Sequence, residues 1–166
     1  IENTNERVFS ENTAYQMTSI LQGVVQRGTG KKLRTLNVPL AGKTGTTNDN
    51  YDAWFIGFSS NLVIGVYVGF DNPKTLGKYE TGSKAALPIF KEFVERALFK
   101  DDFEDFNIPE NIYLTSLNYN TGLKSGEGEK NTIIEALKIK DINNVDNNNL
   151  ISIGGHDKLV KFRQFY

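Results

Sequence analysis

Ala41-Gly42-Lys43-Thr44-Gly45-Thr46-Thr47-Asn48-Asp49, followed closely by Asp52-Ala53-Trp54-Phe55-Ile56-Gly57-Phe58, is the stretch on which the reading of this chain turns. Val38-Pro39-Leu40-Ala41 leads into it. Pro39 lacks an amide donor, so a strand near Leu40–Thr47 is expected at an edge of its sheet. Three chemistries compete for the segment. Gly42-Lys43-Thr44 matches the end of a phosphate-binding loop, but that loop needs a glycine five residues before Gly42. Asn37 stands there, and the intervening Val38–Ala41 is apolar and stiff. A plain exposed edge strand is the second reading, with lysine discouraging pairing between molecules. The third is a strand that grips an anion. Lys43 supplies charge, Thr44 and Thr46 supply hydroxyl donors, and Gly45 lets a ligand approach the backbone. A free strand amide such as that of Thr46 could then donate to a developing oxyanion.

Working outward, Asn48-Asp49-Asn50 is a turn cluster. Asp52–Phe58 and Leu62–Phe70 are rich in aromatic and β-branched residues and are split by Ser59-Ser60-Asn61, the pattern of a hairpin. Upstream, Ser10 reads as an N-cap. Ala14, Met17, Ile20, Leu21, Val24 and Val25 recur at helical spacing, predicting a helix over Glu11–Arg27. Gly28 is expected to end it by taking positive φ, and Gly28–Lys32 to form a flexible basic loop. Downstream, Leu87, Phe90, Phe93, Val94, Ala97 and Leu98 form a stripe predicting a helix near Lys84–Phe99, with Pro88 in its first turn. Beyond it lies an acidic connector, Asp101–Asp105. A short strand is expected at Asn111–Leu117, a turn at Asn120-Thr121-Gly122, and a short helix capped by Asn131 and running through Lys138. Asn143–Asn149 is asparagine-rich linker.

The chain has 166 residues, no cysteine, and 19 basic against 20 acidic residues. That length can bury a core. The near-neutral balance argues against bulk electrostatic binding to nucleic acid. The lack of cysteine excludes a disulfide scaffold, a thiol nucleophile and cysteine-ligated metal. No apolar run approaches the ~20 residues of a membrane span. His156 has no paired carboxylate motif and reads as a surface residue. No motif for a metal or a cofactor is present. The chain opens at Ile1 with neither initiator methionine nor signal sequence, so a segment of a longer polypeptide is expected.

The Lys-Thr-Gly-Thr-Thr segment with its Asp-Ala-Trp-Phe block resembles the penicillin-binding proteins, in particular the class A, bifunctional cell-wall synthases. Gly65-Val66-Tyr67-Val68-Gly69-Phe70-Asp71 is similar to that family's next strand, and Thr81-Gly82 before Ala85-Ala86-Leu87-Pro88 to the entry of its last helix. Ala14-Tyr15-Gln16-Met17 and Gly23–Gly30 are similar to its helix and loop ahead of the Lys-Thr-Gly strand. Six segments in order are far more specific than one motif. The resemblance implies an α+β fold: part of an antiparallel five-stranded sheet flanked by helices, of which this piece supplies three strands, with a poorly ordered C-terminal tail. Residues 1–100 would be the C-terminal half of a transpeptidase domain, 101–142 a small appendage and 143–166 a linker or tail.

The resemblance further implies an acyl-serine D,D-transpeptidase of peptidoglycan synthesis. It would act on stem peptides ending in D-Ala-D-Ala and be trapped by β-lactam antibiotics. Lys43 and Thr46 would serve catalysis, and Thr44, Gly45 and Thr46 the substrate carboxylate, with the Thr46 amide as half of the oxyanion hole. The parent would also carry a glycosyltransferase domain and a membrane anchor, and would work on the outer face of the bacterial inner membrane. Family members read Ser-x-x-Lys, Ser-x-Asn, Lys-Thr-Gly in order. None of Ser10, Ser19, Ser59, Ser60, Ser83, Ser116, Ser125 and Ser152 has lysine three residues on. Ser10-Glu11-Asn12 and Ser59-Ser60-Asn61 match Ser-x-Asn only as strings, and read as an N-cap and a hairpin turn. The chain alone is therefore expected to be inactive, because nucleophile and base must lie within hydrogen-bond reach. The missing partner strands predict dimerisation or strand exchange. The alternative is a non-catalytic module that binds a carboxylate or peptide without chemistry.

Overall fold

A computed structural model describes residues 6–98, 103–125 and 129–139. Its helices and strands, in chain order, are α1 (Glu11–Gln26), β1 (Ala41–Thr46), β2 (Ala53–Phe58), β3 (Val63–Val68), α2 (Ala86–Ala97), β4 (Ile112–Asn118) and β5 (Thr132–Lys138). The chain packs as two units. One is Leu21–Asn107; the other joins the described residues before Leu21 to those from Ile108 onward. The fold class is α+β, as the resemblance implies. The described strands form a three-stranded antiparallel sheet in the order β1-β2-β3 and a separate two-stranded sheet of β4 and β5.

In the unit Leu21–Asn107, the pairings Ala41↔Phe58 and Ala53↔Val68 fix which side chains share a face. Gly42, Thr44 and Thr46 lie with Phe55, Gly57, Val66 and Val68 on one face, because directly paired residues project to the same side. That face is the buried one. Phe55, Ala53, Leu87 and Phe90 are fully buried, and Val94 nearly so. The Phe55 and Phe90 rings meet edge to face at 4.8 Å between centroids. Gly42 and Gly57 face each other across β1 and β2 beneath these rings. A Cβ on Gly57 would come within 2.5 Å of Phe90, and one on Gly42 within 2.8 Å of Phe55. The two glycines thus open the slot the aromatics fill. Leu33, Leu36 and Leu40 complete the cluster from the segment before β1.

Ser10 caps α1, accepting a hydrogen bond from the Thr13 amide at 3.3 Å. Gly28 ends that helix, but not through left-handed backbone: among described glycines only Gly77 and Gly122 have positive φ. The amides of Gly28 and Gly30 both donate to the Val24 carbonyl, at 3.1 and 3.0 Å. A Cβ on Gly28 would sit 3.0 Å from Val24 Cα, so close approach is what requires glycine there. Lys31 and Lys32 do not lie in a flexible loop: Lys31–Leu36 is a 3-10 turn that buries Leu33 and Leu36. Along α1 the expected stripe is buried at Val25, while Met17 stays 51% exposed. On α2 the stripe is buried at Leu87, Phe90 and Val94, with Phe93 facing solvent. Pro88 stands in the first turn of α2, where its missing amide removes no helix bond.

In the other unit, β4 and β5 pair from Ile112↔Lys138 to Asn118↔Thr132. The helix expected through Lys138 is a strand instead. Glu135-Ala136-Leu137-Lys138 has good helix formers, yet pairing with β4 and burial of Leu117 against Leu137 and Ile133 outweigh that preference. Asn131 does not cap a helix; it takes φ 66 at the strand's entry. The turn at Asn120-Thr121-Gly122 is present, built by Asn118 Oδ1 accepting from the amides of Asn120 and Thr121. Gln16 donates to the Ala136 carbonyl and Lys138 to the Thr13 hydroxyl, tying the start of α1 to β5. Phe99, Asp101, Asp102, Asn143–Asn149 and His156 lie outside the described residues.

Removing the Phe90 ring is expected to cost about 3–5 kcal/mol, the range for truncating a buried aromatic. Phe90→Ala should therefore lower the urea midpoint markedly. Gly57→Ala should also destabilise, but less in the Phe90→Ala background than alone, because the new methyl then meets one ring instead of two. Strict additivity of the two changes would show that the slot does not exist.

Candidate functional site

β1 is the edge strand that Pro39 predicts, with no strand paired to its outer side among the described residues. The Thr47 amide donates to the Asp52 carbonyl at 3.1 Å, which marks Thr47↔Asp52 as a hydrogen-bonded pair. Such pairs alternate along an antiparallel ladder. Thr46↔Ala53 and Thr44↔Phe55 are therefore the other kind of pair, and the amides and carbonyls of Thr44 and Thr46 point to the open edge. Lys43 Nζ donates to the Thr44 carbonyl at 2.7 Å, at that edge.

Strand alternation separates the side chains of the motif. Thr44 and Thr46 lie on the face that α2 covers, and Lys43 and Gly45 on the opposite face with Ile56 and Trp54. All four border the same edge. The Thr46 hydroxyl accepts a hydrogen bond from the Gly82 amide at 3.0 Å. The Thr44 hydroxyl lies 2.9 Å from the Thr29 hydroxyl. Thr29 and Gly82 stand 15 and 36 residues from their partners. Nothing in their local sequence points at β1 beyond small residues in the turns Gly28-Thr29-Gly30 and Thr81-Gly82. Gly82 has no room for a side chain, since its Cβ would come within 2.5 Å of the carbonyl oxygens of Trp54 and Gly45. A Cβ on Gly45 would lie 3.2 Å from Trp54 Cβ, so packing restricts this position too.

The loop after β1 is held from two sides. Asp49 and Asn50 take φ 55 and 54, a conformation that asparagine and aspartate tolerate better than most side chains. Thr75 donates to the Asp49 carbonyl, the Leu76 amide to the Asn50 carbonyl, and Asn50 Nδ2 to the Gly77 carbonyl. The β3–α2 connection thereby braces the turn. Ser59-Ser60-Asn61 is the hairpin turn its sequence suggests: Ser59 donates to Asn61 Oδ1 and accepts from the Leu62 amide. Trp54 is 41% exposed and packs on Tyr67 at 4.7 Å, whereas Phe55 points into the core.

The open edge of this α+β layer carries a cation, two hydroxyls and outward amides. A family model for the penicillin binding protein transpeptidase domain matches residues 2–95, and the chain belongs to that family. It is 43% identical over 154 residues to penicillin-binding protein 1A of Rickettsia typhi, covering 93% of this chain and 19% of that protein. With penicillin-binding protein 1A of Pseudomonas aeruginosa it shares 42% identity over 137 residues, 82% of this chain and 17% of that one. A crystal structure of penicillin-binding protein 1A from Haemophilus influenzae superposes with a TM-score of 0.60 at 28% identity. That match covers 78% of this chain and 21% of the other. The chain thus spans under a quarter of each of these proteins. No helix among the described residues is long and apolar enough to cross a membrane.

Tyr67 donates to Asp52 Oδ1 at 2.9 Å, beside the Thr47 turn. That hydrogen bond, with the charges of Asp52 and Asp71, raises the Tyr67 phenol above its ordinary value of 10.0. The protonated phenol is the form the fold favours. Its contribution is therefore fully present below the ordinary tyrosine value and fades as pH rises through the raised one. Tyr67→Phe should unfold more easily than the parent chain at neutral pH, with the gap closing as pH rises above about 10. Unfolding midpoints across that range measure it, and a gap that widens would contradict the hydrogen bond.

Proposed function

We propose that this chain supplies the substrate-gripping strand of a peptidoglycan D,D-transpeptidase that works through an acyl-serine intermediate. The observation that carries the reading is the open edge of β1, where the Thr44 and Thr46 amides point outward beside Lys43, in a chain of the transpeptidase family. An extended stem peptide ending in D-Ala-D-Ala would lie along this edge. Lys43 would hold positive charge near the reacting groups. Thr44 and Thr46 would donate to the terminal carboxylate, an acceptor-only group when ionised. The missing Cβ of Gly45 would keep the backbone accessible from the other face. The outward Thr46 amide would donate to the oxyanion as the scissile carbonyl becomes tetrahedral, with the geometry prepared in advance. A β-lactam, whose carboxylate and strained amide mimic the same groups, would occupy the same strand.

The nucleophile comes from outside these 166 residues in this reading, since no serine here has lysine three residues on. The complete enzyme would be membrane-anchored, with this chain on the outer face of the bacterial inner membrane, and would need no metal or cofactor. A fluorescent penicillin tests the assignment. The isolated chain should take no covalent label, while the full-length protein should be labelled. Thr46→Val in the full-length protein should slow labelling by about tenfold or more, the scale of one hydrogen bond to a charged group. Covalent labelling of the isolated chain would overturn the claim about the nucleophile. Reversible binding of a D-Ala-D-Ala peptide by the isolated chain, lost in Lys43→Ala, with no labelling of the full-length protein, would favour a non-catalytic binding module.

The outer edge of β3 supports a statement about assembly. Ser59 donates its amide to the Leu62 carbonyl at 2.9 Å, so the backbone groups of Val63, Gly65 and Tyr67 point away from β2. Unpaired edges invite strand addition. The isolated chain is expected to dimerise or exchange strands, and sedimentation of a monomer alone at all concentrations would refute this.

A further inference from the structure

We infer that Thr29 is a positioning residue that sets the polarity of the Thr44 hydroxyl, making Thr44 a dedicated proton donor to an anionic ligand. This inference rests on the reading of β1 as a carboxylate-binding strand. It starts from what a hydroxyl can do: one proton to donate and two lone pairs to accept with. An ionised carboxylate only accepts, so a threonine that binds one must spend its single proton on it. The 2.9 Å contact between the hydroxyls of Thr29 and Thr44 then runs in one direction, from Thr29 to Thr44. The neighbouring hydroxyl of β1 is arranged in the same sense. Thr46 accepts from the Gly82 amide, a group that can only donate, so its own proton is free to point elsewhere. One hydroxyl is oriented by a backbone amide, the other by a side chain.

Thr29 is well placed for this role. Its neighbours Gly28 and Gly30 both donate their amides to the Val24 carbonyl at the end of α1, which pins the backbone on either side of it. A Cβ on either glycine would crowd the Val24 backbone, whose atoms lie 3.0 and 3.1 Å from the respective Cβ positions. The side chain itself is exposed and packs into no core. A threonine held rigidly at its backbone and bonded only at its hydroxyl is suited to orienting a neighbour.

The test uses the full-length protein and two probes, benzylpenicillin and its methyl ester, which lacks the anionic carboxylate. Thr29→Val should lower the second-order acylation rate with the free acid by about tenfold, the scale of one hydrogen bond to a charged ligand. The ester should change by less than about twofold on the same physical ground, since no charged acceptor is present. Thr29→Ser, which keeps the hydroxyl, should restore the free-acid rate, and Thr29→Ala should behave as Thr29→Val does. Equal losses with acid and ester would assign Thr29 a purely structural role and overturn the inference. So would an unchanged free-acid rate in Thr29→Val and Thr29→Ala while Thr44→Val loses it. If Thr44→Val also leaves the acid-to-ester ratio unchanged, the carboxylate reading of β1 fails together with this inference.

Discussion

Two facing glycines and two aromatic rings hold the strand on which everything else depends. Gly42 and Gly57 oppose each other across β1 and β2, and the rings of Phe55 and Phe90 occupy the space their missing side chains leave. Any Cβ at either position would strike a ring or a backbone atom at under 3.0 Å. The consequence is that α2 packs closely on β2 through Phe90, and β2 in turn lies tight against the start of β1. Burying a phenylalanine contributes about 1.5–3 kcal/mol, and both rings are fully buried. The strand carrying Lys43, Thr44 and Thr46 is therefore seated by its first residues, which frees the later ones to face outward at the open edge.

That seating explains the division of labour along β1. Alternation sends Thr44 and Thr46 to the covered face, where Thr29 and the Gly82 amide can reach their hydroxyls. It sends Lys43 and Gly45 to the other face, beside Trp54 and Ile56. A simple picture of four alternating residues gripping one anion from a single face does not survive this geometry. The groups converge only at the edge, where the Thr44 carbonyl already holds Lys43 and the amides of Thr44 and Thr46 have no strand partner among the described residues. Which backbone groups face that edge follows from the ladder's phase, not from the side chains of the motif.

Much of this was legible in the residues. The hairpin of β2 and β3, the cap at Ser10, Pro88 in the first turn of α2 and the turn at Asn48–Asn50 are local devices, each written in adjacent residues. The motif Lys43-Thr44-Gly45-Thr46 stood out for the same reason, as did the family resemblance. The failures share a cause as well. Thr132–Lys138 contains good helix formers, and only pairing with Ile112–Asn118 makes it a strand. Gly28 has the look of a left-handed cap, and only the nearness of Val24 gives the true reason for it. Lys31 and Lys32 read as loop because the burial of Leu33 and Leu36 behind them comes from distant segments.

By itself, then, the sequence determined the elements whose signals are short-range, the edge character of the Lys-Thr-Gly strand and the family to which it points. Periodicity, caps and turn residues act within a few positions, so they can be read without knowing where the chain goes. Tertiary structure alone decided which face each motif residue occupies relative to the core, and that Thr29 and Gly82 are the groups that meet Thr44 and Thr46. Those contacts span 15 and 36 residues. A hydrogen bond of that range leaves no mark on the local composition of either partner, because its existence depends on packing that brings the two segments together.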